Sequence, residues 1–213
     1  TRVRSSAASD VYKRQFQPMA DCKISIMTHT FLYGTGVFEG IRGYWDDQGG
    51  RLNIFRLQEH FQRLEKSARI LRTTLPAPNE TLCELAAELC RRNHDEEDVY
   101  IRPQAYKSDQ VIGPELINRT DAFFIFSLPF GKYLEKTTGM HCGISSWRRV
   151  QDNMIPARAK VTGIYVNSSL ARTEAMENGF DEAIMLNANG YVGEGSSENL
   201  FIVRDGKLLT PSN

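Results

Sequence analysis

Two stretches of the chain carry the spacing of apolar residues that is typical of an amphipathic helix. In the first, the apolar residues recur every three or four positions and so lie along one stripe: Leu57, Phe61, Leu64, Ala68 and Leu71. The second follows the helix-breaking sequence TTLPAP, and its apolar positions predict a helix over residues 79–92 with Asn79 as the N-cap. The pattern therefore predicts two helices joined by a proline-containing turn.

The extended stretches have a different pattern, rich in β-branched and aromatic residues. VYIRPQAY (residues 99–106) and AFFIFSLPF (residues 122–130) predict strands, and the continuous apolar run of the second is typical of a buried strand. Two shorter extended stretches flank the turn sequence DDQGG, which predicts a hairpin. Residues 22–31 alternate loosely and predict a further strand.

The last third of the chain alternates between strand and helix patterns. A strand is predicted in MHCGISSWRRV. A helix over residues 166–177 ends at Asn178 and Gly179, where glycine can adopt the left-handed conformation of a C-cap. Asn-Gly joins the next two predicted strands and Asp-Gly joins the two after them, as in tight hairpins.

These patterns predict an α+β protein of two domains. Residues 1–15 are polar and aperiodic, and we expect them to be a non-native or disordered leader. Residues 16–128 are predicted to form a small α/β domain, residues 129–139 a connector, and residues 140–213 the first part of a larger domain. Because roughly 75 residues are marginal for a complete core, we expect the sequence to be cut short at its C-terminus.

Composition and charge narrow the class of protein. The chain has 213 residues and a net charge of zero, which favours neither nucleic acid nor an anionic membrane as a partner. No apolar run approaches the ~20 residues that a membrane span needs. The four cysteines have no CxxC spacing and no signal peptide precedes them, so we expect reduced thiols in a cytoplasmic protein. The four histidines lie far apart, so no metal site is predicted.

Lys160 is the first candidate for chemistry. In ARAKVTGIY its flanking residues are small or apolar: Ala157, Ala159, Val161 and Gly163. Tyr165 follows in the same stretch. Burial disfavours the charged form of a lysine and lowers its pKa from about 10.4. The neutral amine that results forms Schiff bases with carbonyls, including that of pyridoxal phosphate. An exposed lysine at the entry to a helix is the alternative interpretation.

A pyridoxal phosphate site needs further groups. A carboxylate must face the ring nitrogen, and YVGEGSSENLF offers Glu194 and Glu198. Glycines on both sides of Glu194 favour a close approach of the backbone to a ligand. The phosphate needs a cation, and Arg63 lies on the first predicted helix. Each of these three residues, taken alone, is also explained as an exposed surface charge.

Five ordered motifs together resemble the branched-chain amino acid aminotransferases, which are pyridoxal phosphate enzymes of fold type IV: YGTGVFEGIR, FQRLEKSARIL, YIRP, ARAKVTGIYVNSSLA and EGSSENLFIVRDGKLLTP. The resemblance runs from about Cys22 to Pro211. It implies a small N-terminal α/β domain and the first part of a larger, barrel-like α/β domain. It also implies that a further helix and loops, which complete the cofactor site in that family, follow the end of this sequence.

The resemblance assigns the cofactor-binding residues one by one. Lys160 is implied to be the Schiff-base lysine and the catalytic residue. Glu194 is implied to face the pyridine nitrogen and Tyr165 to hydrogen-bond the 3-oxygen of the ring. Arg63 is implied to bind the phosphate.

The resemblance also assigns a substrate pocket. Tyr100 is implied to help hold the substrate carboxylate, and Arg102 to pair with the γ-carboxylate of glutamate. The remaining residues are implied to be aromatic walls: Tyr33, Phe38, Phe130, Tyr133 and Tyr165. An apolar pocket of this kind separates leucine, isoleucine and valine poorly, because one methylene is worth only ~1–3 kcal/mol.

The implied reaction transfers the amino group of leucine, isoleucine or valine to 2-oxoglutarate and gives branched 2-oxo acids and L-glutamate, in a homodimer or higher homo-oligomer. Three other activities of the same fold stay open: D-amino acid aminotransferase, (R)-amine transaminase and aminodeoxychorismate lyase. VFEGIR together with YIRP favours the branched-chain group. The alternative outside the enzymes is an inactive truncated fragment or a pseudoenzyme.

Overall fold

The computed structural model describes residues 7–10, of which only the backbone is described, and residues 15–93, 96–131 and 138–211. Contacts divide the chain into two compact units. The first unit comprises Thr1–Tyr133 and Ala159–Gly163, and the second comprises Leu134–Arg158 and Ile164–Asn213.

The first unit is built on a seven-stranded sheet whose described pairings are all antiparallel. The strands run in the spatial order β2-β1-β7-β6-β4-β5, and β3 also pairs with β6. Their bounds are Ala7–Asp10 (β1), Gln15–Pro18 (β2), Gly36–Phe38 (β3), Ile41–Asp46 (β4), Arg51–Ile54 (β5), Val99–Lys107 (β6) and Asp121–Pro129 (β7). Along β6 every second side chain is buried, so one face of the sheet forms the core.

Three helices pack on this sheet: α1 (His29–Tyr33), α2 (Leu57–Ile70) and α3 (Asn79–Asn93). The two long ones, α2 and α3, bury their apolar residues against the sheet and against each other. In α2, Phe61, Leu64 and Ala68 are buried, as the three-to-four spacing predicts. Helix α2 also packs on β3, the strand that carries Phe38.

The second unit contains a three-stranded sheet of β8 (Cys142–Ile144), β9 (Glu182–Leu186) and β10 (Val192–Gly195). Strands β8 and β9 are parallel, and a parallel pair needs a crossover, which α4 (Tyr165–Glu177) provides. Two further strands, β11 (Ile202–Arg204) and β12 (Lys207–Leu209), form a separate hairpin. The small core of this unit consists of Ala171, Ala175, Ala183 and Met185.

Most of the predicted elements are present with shifts of a few residues at their ends. The hairpin turns lie where the sequence predicted them, with Asp205 and Gly206 both at positive φ (51° and 72°) in the β11–β12 turn. Gly179 has a φ of 79° directly after α4, as expected for a C-cap glycine. Strand β7 alternates between buried and half-buried positions, although its apolar run predicted burial throughout.

Three predictions of local structure were wrong. Residues 1–15 were expected to lie outside the fold, but the backbone of residues 7–10 pairs with both β2 and β7, so this part adds a strand to the sheet. Residues 22–31 contain no strand, because the chain turns and then enters α1 at His29. Asn79 is the first residue of α3 rather than its N-cap, and its side chain instead donates a hydrogen bond to Glu65.

The division into units also differs from the predicted domains in one respect. The boundary after Tyr133 lies inside the predicted connector, residues 129–139. Residues 159–163 were expected in the second domain, yet they belong to the first unit. The physical reason is that Val161 forms a bridge with Val37 of β3, which attaches this short segment to the first sheet.

The described ranges contain neither a membrane-spanning helix nor a metal cluster. No helix in these ranges has the length and apolar character that crossing a membrane requires. No group of three or more histidine, cysteine, aspartate or glutamate side chains in the same ranges is placed to hold a metal ion. All four cysteines lie in the described part of the chain, and none of them forms a disulfide bond there.

Candidate active site

Lys160 lies in the five-residue segment that belongs to the first unit. Its neighbours Ala159 and Val161 are buried, and Lys160 itself is half-buried. Its carbonyl accepts a hydrogen bond from the Phe38 amide (3.1 Å), and its amide donates to Ser67 Oγ on α2 (3.2 Å). The main chain of Lys160 is therefore held between β3 and α2, and the lysine is not an exposed residue at a helix entry.

A close approach between two glycines holds the far end of this segment. The Gly163 amide donates to the Gly34 carbonyl (3.2 Å), and Gly34 has a φ of 67° at the C-cap of α1. A Cβ atom on Gly34 would lie only 2.8 Å from Gly163 Cα. Glycine is thus required at position 34 both for its backbone conformation and for the space it leaves.

We expect Gly34→Ala to lower the free energy of unfolding by about 2–4 kcal/mol, because left-handed strain and a backbone clash add together. Gly50→Ala is the matched control, since Gly50 also has a positive φ (58°) but no atom lies within 4 Å of the added Cβ. It should cost only about 1 kcal/mol. Urea unfolding of both variants measures the difference, and equal losses would contradict the close approach of Gly34 and Gly163.

Two cationic side chains converge on the ring of Phe38. The Arg102 guanidinium carbon lies 4.3 Å from the ring centroid, and Lys160 Nζ lies 5.1 Å from it. Both distances are within the range of cation–π attraction. Phe38 is only 5% exposed, so the two cations meet at an apolar surface that is largely shielded from water.

Tyr100 and Phe130 extend this cluster along β6 and beyond the end of β7. Tyr100 Oη accepts hydrogen bonds from Arg102 Nε (2.9 Å) and Nη2 (2.7 Å). The rings of Tyr100 and Phe130 lie 5.7 Å apart between centroids. A Cβ atom on Gly40 would lie 2.9 Å from Tyr100, so the glycine of VFEGIR leaves room for this tyrosine. The structure therefore brings together Lys160, Phe38, Tyr100, Arg102 and Phe130.

Arg63 makes a bidentate ion pair with a carboxylate that is fully buried. Its Nε and Nη2 each donate to Glu39 at 2.6 Å, and His60 Nδ1 lies 2.8 Å from the same carboxylate. Burial by itself would raise the pKa of Glu39 and is the largest single effect. Hydrogen bonds and charge from Arg63 and His60 together outweigh it and lower the pKa. Arg63 is therefore fixed by an ionised Glu39, while its side chain stays half-exposed.

In the second unit, Glu194 lies where the pairing register of β10 shifts, and it pairs with an arginine. Its Oε1 is 2.5 Å from Arg149 Nε. Tyr165 is the first residue of α4 and is half-buried. Glu198, the other candidate carboxylate, accepts hydrogen bonds from the amide and hydroxyl of Ser197.

Two buried polar atoms of the second unit have no hydrogen-bond partner among the described residues: Asn167 Oδ1 and Ser196 Oγ. Asn167 lies on α4 close to its start, and Ser196 directly follows β10. Buried polar atoms are rarely left unsatisfied in native proteins. Their presence indicates that a polar ligand can be accommodated beside these residues of the second unit.

Of the two remaining tyrosines of the predicted pocket, the structure describes Tyr33 but not Tyr133. Tyr33 lies in α1 and is 37% exposed; its hydroxyl accepts a hydrogen bond from the Gly113 amide (2.9 Å). Its ring contacts that of His29, with 4.8 Å between centroids. Tyr133 lies outside the described residues, so its predicted role stays a prediction.

Sequence reasoning missed four residues that hold the candidate site together: Glu39, His60, Ser67 and Arg149. Glu39 lies within the quoted motif VFEG, and His60 and Arg63 share one side of α2 at a spacing of three. That spacing was a usable signal for a pair of basic side chains. Nothing in the sequence indicated that Glu39 is buried opposite them or that Arg149 meets Glu194.

Comparison with known proteins identifies the family of this chain. The family model for amino-transferase class IV matches residues 36–213. A probable branched-chain-amino-acid aminotransferase of Aquifex aeolicus is 48% identical over 201 residues, which cover 94% of this chain and 65% of the relative. The chain thus spans about 65% of the length of that curated relative.

Solved structures give the same result. The branched-chain aminotransferase of Thermoproteus uzoniensis with norvaline superposes with a TM-score of 0.91 at 43% identity, over 98% of this chain and 68% of that one. A T.th. branched-chain amino acid aminotransferase complexed with N-(5'-phosphopyridoxyl)-L-glutamate has a TM-score of 0.89 at 40% identity, over 98% and 68%. This chain therefore belongs to the class IV aminotransferases, and its α+β fold is part of the two-domain fold of type IV, as predicted.

Proposed function

We propose that this protein is a pyridoxal phosphate-dependent aminotransferase that transfers the amino group of branched-chain L-amino acids to 2-oxoglutarate. The observation that carries the proposal is the placement of Lys160 beside the shielded ring of Phe38, with Arg102 on the same ring. The relatives named above, which are branched-chain aminotransferases, support the substrate class. The complex of one of them with a phosphopyridoxyl-glutamate adduct supports both the cofactor and glutamate.

The donor set of the chain fits the chemistry of this cofactor. An amine (Lys160), a fixed guanidinium (Arg63) and a carboxylate (Glu194) match its aldehyde, phosphate and ring nitrogen in turn. The unsatisfied Asn167 and Ser196 offer further polar contacts. When bound, pyridoxal phosphate supplies an electron-withdrawing ring that stabilises negative charge at the substrate Cα.

The protein side chains then have the following roles. Lys160 Nζ would hold the cofactor through its aldehyde, and as a neutral amine the same nitrogen would act as the base that removes the proton from the substrate Cα and as the acid that returns it. Arg63 holds the phosphate, and Glu194 keeps a proton on the ring nitrogen. Tyr165 donates a hydrogen bond to the ring 3-oxygen.

The substrate side chain and carboxylates meet the cluster on the first sheet. Tyr100 and Arg102 are joined by two hydrogen bonds, so they present one fixed cationic group for a carboxylate. Phe38 and Phe130 give apolar walls for a leucine, isoleucine or valine side chain, with Tyr33 and Tyr133 as further walls. We extend the proposal to a homodimer or higher homo-oligomer, as the resemblance implies. We also extend it to the cytoplasm, where cysteines stay reduced, since the four cysteines form no disulfide bond in the described part of the chain.

The direct test of this function is a transamination assay of the purified protein with pyridoxal phosphate and 2-oxoglutarate. We expect glutamate to form from L-leucine, L-isoleucine and L-valine, with kcat/KM values within about 200-fold of one another, because these side chains differ by at most one methylene. D-Alanine is the control substrate and should give no pyruvate. Turnover of D-alanine without turnover of L-leucine would instead indicate a D-amino acid aminotransferase.

A further inference from the structure

The segment Ala159–Gly163 is unusual in its connections. The chain on both sides of it belongs to the second unit, whereas these five residues belong to the first. The contacts of this segment with the first unit must therefore fix the position of Lys160. Several of those contacts join main-chain atoms, such as the hydrogen bond from the Phe38 amide to the Lys160 carbonyl. Main-chain contacts do not depend on side-chain identity.

Two side chains hold the main chain of this segment to the first unit through a hydroxyl group. On the N-terminal side, Ser67 Oγ accepts the hydrogen bond from the Lys160 amide (3.2 Å). Ser67 is fully buried and lies one helical turn beyond Arg63 on α2. A buried amide that loses its acceptor keeps the full cost of its desolvation, so this serine is a specific anchor for Lys160 rather than a filler of space.

On the C-terminal side, Thr162 Oγ1 bridges two positions of the first unit. It donates to the Gly34 carbonyl (2.8 Å), with the Gly36 carbonyl at 3.2 Å, and it accepts from the Gly36 amide (3.2 Å). One hydroxyl has one hydrogen to donate and two lone pairs to accept with, so it can satisfy both partners. Thr162 thus joins the end of α1 to the start of β3, two residues after Lys160.

We propose that Ser67 and Thr162 form a pair of hydroxyl anchors that position Lys160 for its reaction with the cofactor. The proposal rests on the proposed function, because it assigns Lys160 its role there. Neither hydroxyl touches the reacting atoms in this account; both are positioning residues that fix the main chain on either side of the lysine. Since a displacement of about 1 Å can reduce the rate of a reaction about 100-fold, anchors of this kind affect reactivity without changing the fold.

Matched substitutions separate the hydroxyl from the shape of the side chain. Thr162→Val removes the hydroxyl and keeps a branched side chain of nearly the same volume, whereas Thr162→Ser keeps the hydroxyl and removes the methyl group. Ser67→Ala removes the other anchor on a different element. If Thr162→Val fails to fold, Ser67→Ala still tests whether a hydroxyl group positions Lys160.

The first readout needs no cofactor and is residue-resolved hydrogen exchange by NMR on the 24.2 kDa chain. We expect the Gly36 amide to exchange about 5–10-fold faster in Thr162→Val and the Lys160 amide about 5–10-fold faster in Ser67→Ala, because each loses one net hydrogen bond. Thr162→Ser should stay within about 3-fold of the unsubstituted protein.

The second readout is the rate at which the visible absorption of lysine-bound pyridoxal phosphate develops after mixing. Thr162→Val and Ser67→Ala should each slow it by about 10-fold or more, and Thr162→Ser should restore it. Unchanged exchange and an unchanged rate in both hydroxyl-deleted variants would overturn the proposal. Equal slowing in Thr162→Val and Thr162→Ser would also overturn it, since packing and not the hydroxyl would then be responsible. If the unsubstituted protein develops no absorption, the proposed function fails, and hydrogen exchange alone decides on the anchors.

Discussion

Replacing Lys160 by alanine should abolish the visible absorption of the bound cofactor and reduce transamination by at least about 1,000-fold. The expected loss is this large because one nitrogen has two functions, the covalent attachment of the cofactor and the proton transfer at the substrate Cα. General acid–base catalysis alone contributes about 100- to 10,000-fold. The placement of Lys160 Nζ against the shielded Phe38 ring is the structural basis of this expectation.

Lys66→Ala is the matched control, since Lys66 is an exposed lysine on α2. It removes the same side chain close to the candidate site and should leave both the absorption and the activity unchanged. Added methylamine supplies an external amine, and partial recovery of the Lys160→Ala variant would show that the lost group is a base. A Lys160→Ala variant with an unchanged spectrum would show that another amine binds the cofactor.

The second large effect is expected at Glu39, the buried carboxylate that fixes Arg63. Glu39→Gln keeps the shape of the side chain, but its amide NH₂ faces the N–H donors of Arg63. Removing one partner of a buried ion pair costs about 3–5 kcal/mol. We expect about 3 kcal/mol, the lower end of this range, because the Arg63 side chain is 54% exposed and water can solvate it in the variant.

The stabilisation that Glu39 provides should depend on pH. The folded protein lowers the pKa of Glu39 below 4.5, so the ionised carboxylate stabilises the fold fully above about pH 4.5. The stabilisation is lost as the pH falls from 4.5 through the lowered pKa of the folded state. Urea unfolding should therefore show a large difference between Glu39→Gln and the unsubstituted protein at pH 7, which shrinks below pH 4.5.

Glu59→Gln provides the comparison on the same helix. Glu59 also pairs with an arginine, Arg56, but both side chains are exposed, and surface pairs add little to stability. This variant should unfold like the unsubstituted protein at every pH. A Glu39→Gln variant that behaved in the same way would contradict the account of Arg63 as a residue fixed by a buried carboxylate.

Local patterns in the sequence were sufficient to predict most of the elements. Helix α2 and the Asp205–Gly206 turn follow from apolar spacing and from residues that tolerate positive φ, and both are properties of a few neighbouring residues. The strand at residues 7–10 was missed because its sequence has no apolar alternation; besides the neighbouring β2, it pairs with β7, which is more than 100 residues away along the chain. Such long-range pairing leaves no local signal.

In the candidate site too, single residues could be predicted from local motifs, but their long-range contacts could not. Lys160, Phe38, Tyr100, Arg102 and Phe130 were each named from motifs, and the structure places them in one cluster. The sequence could not indicate what holds them.

Ser67, for example, is a serine within a helix, and serines are mostly exposed to solvent. In this fold Ser67 is buried and accepts a hydrogen bond from Lys160, whose segment belongs to the first unit. Arg63 was named from its motif as the residue that binds the phosphate, which stays a prediction; only the fold reveals that Glu39 binds it from the buried side.

The central claim is that Lys160 is the residue that binds the cofactor, and one measurement tests it directly. The purified protein is incubated with pyridoxal phosphate and reduced with borohydride, which makes the bond between the cofactor and its amine permanent. Proteolysis and mass spectrometry then locate the added phosphopyridoxyl group. The account predicts this group on the peptide that contains Lys160, at one equivalent per chain. Labelling confined to exposed lysines such as Lys66, with Lys160 unmodified, would contradict it.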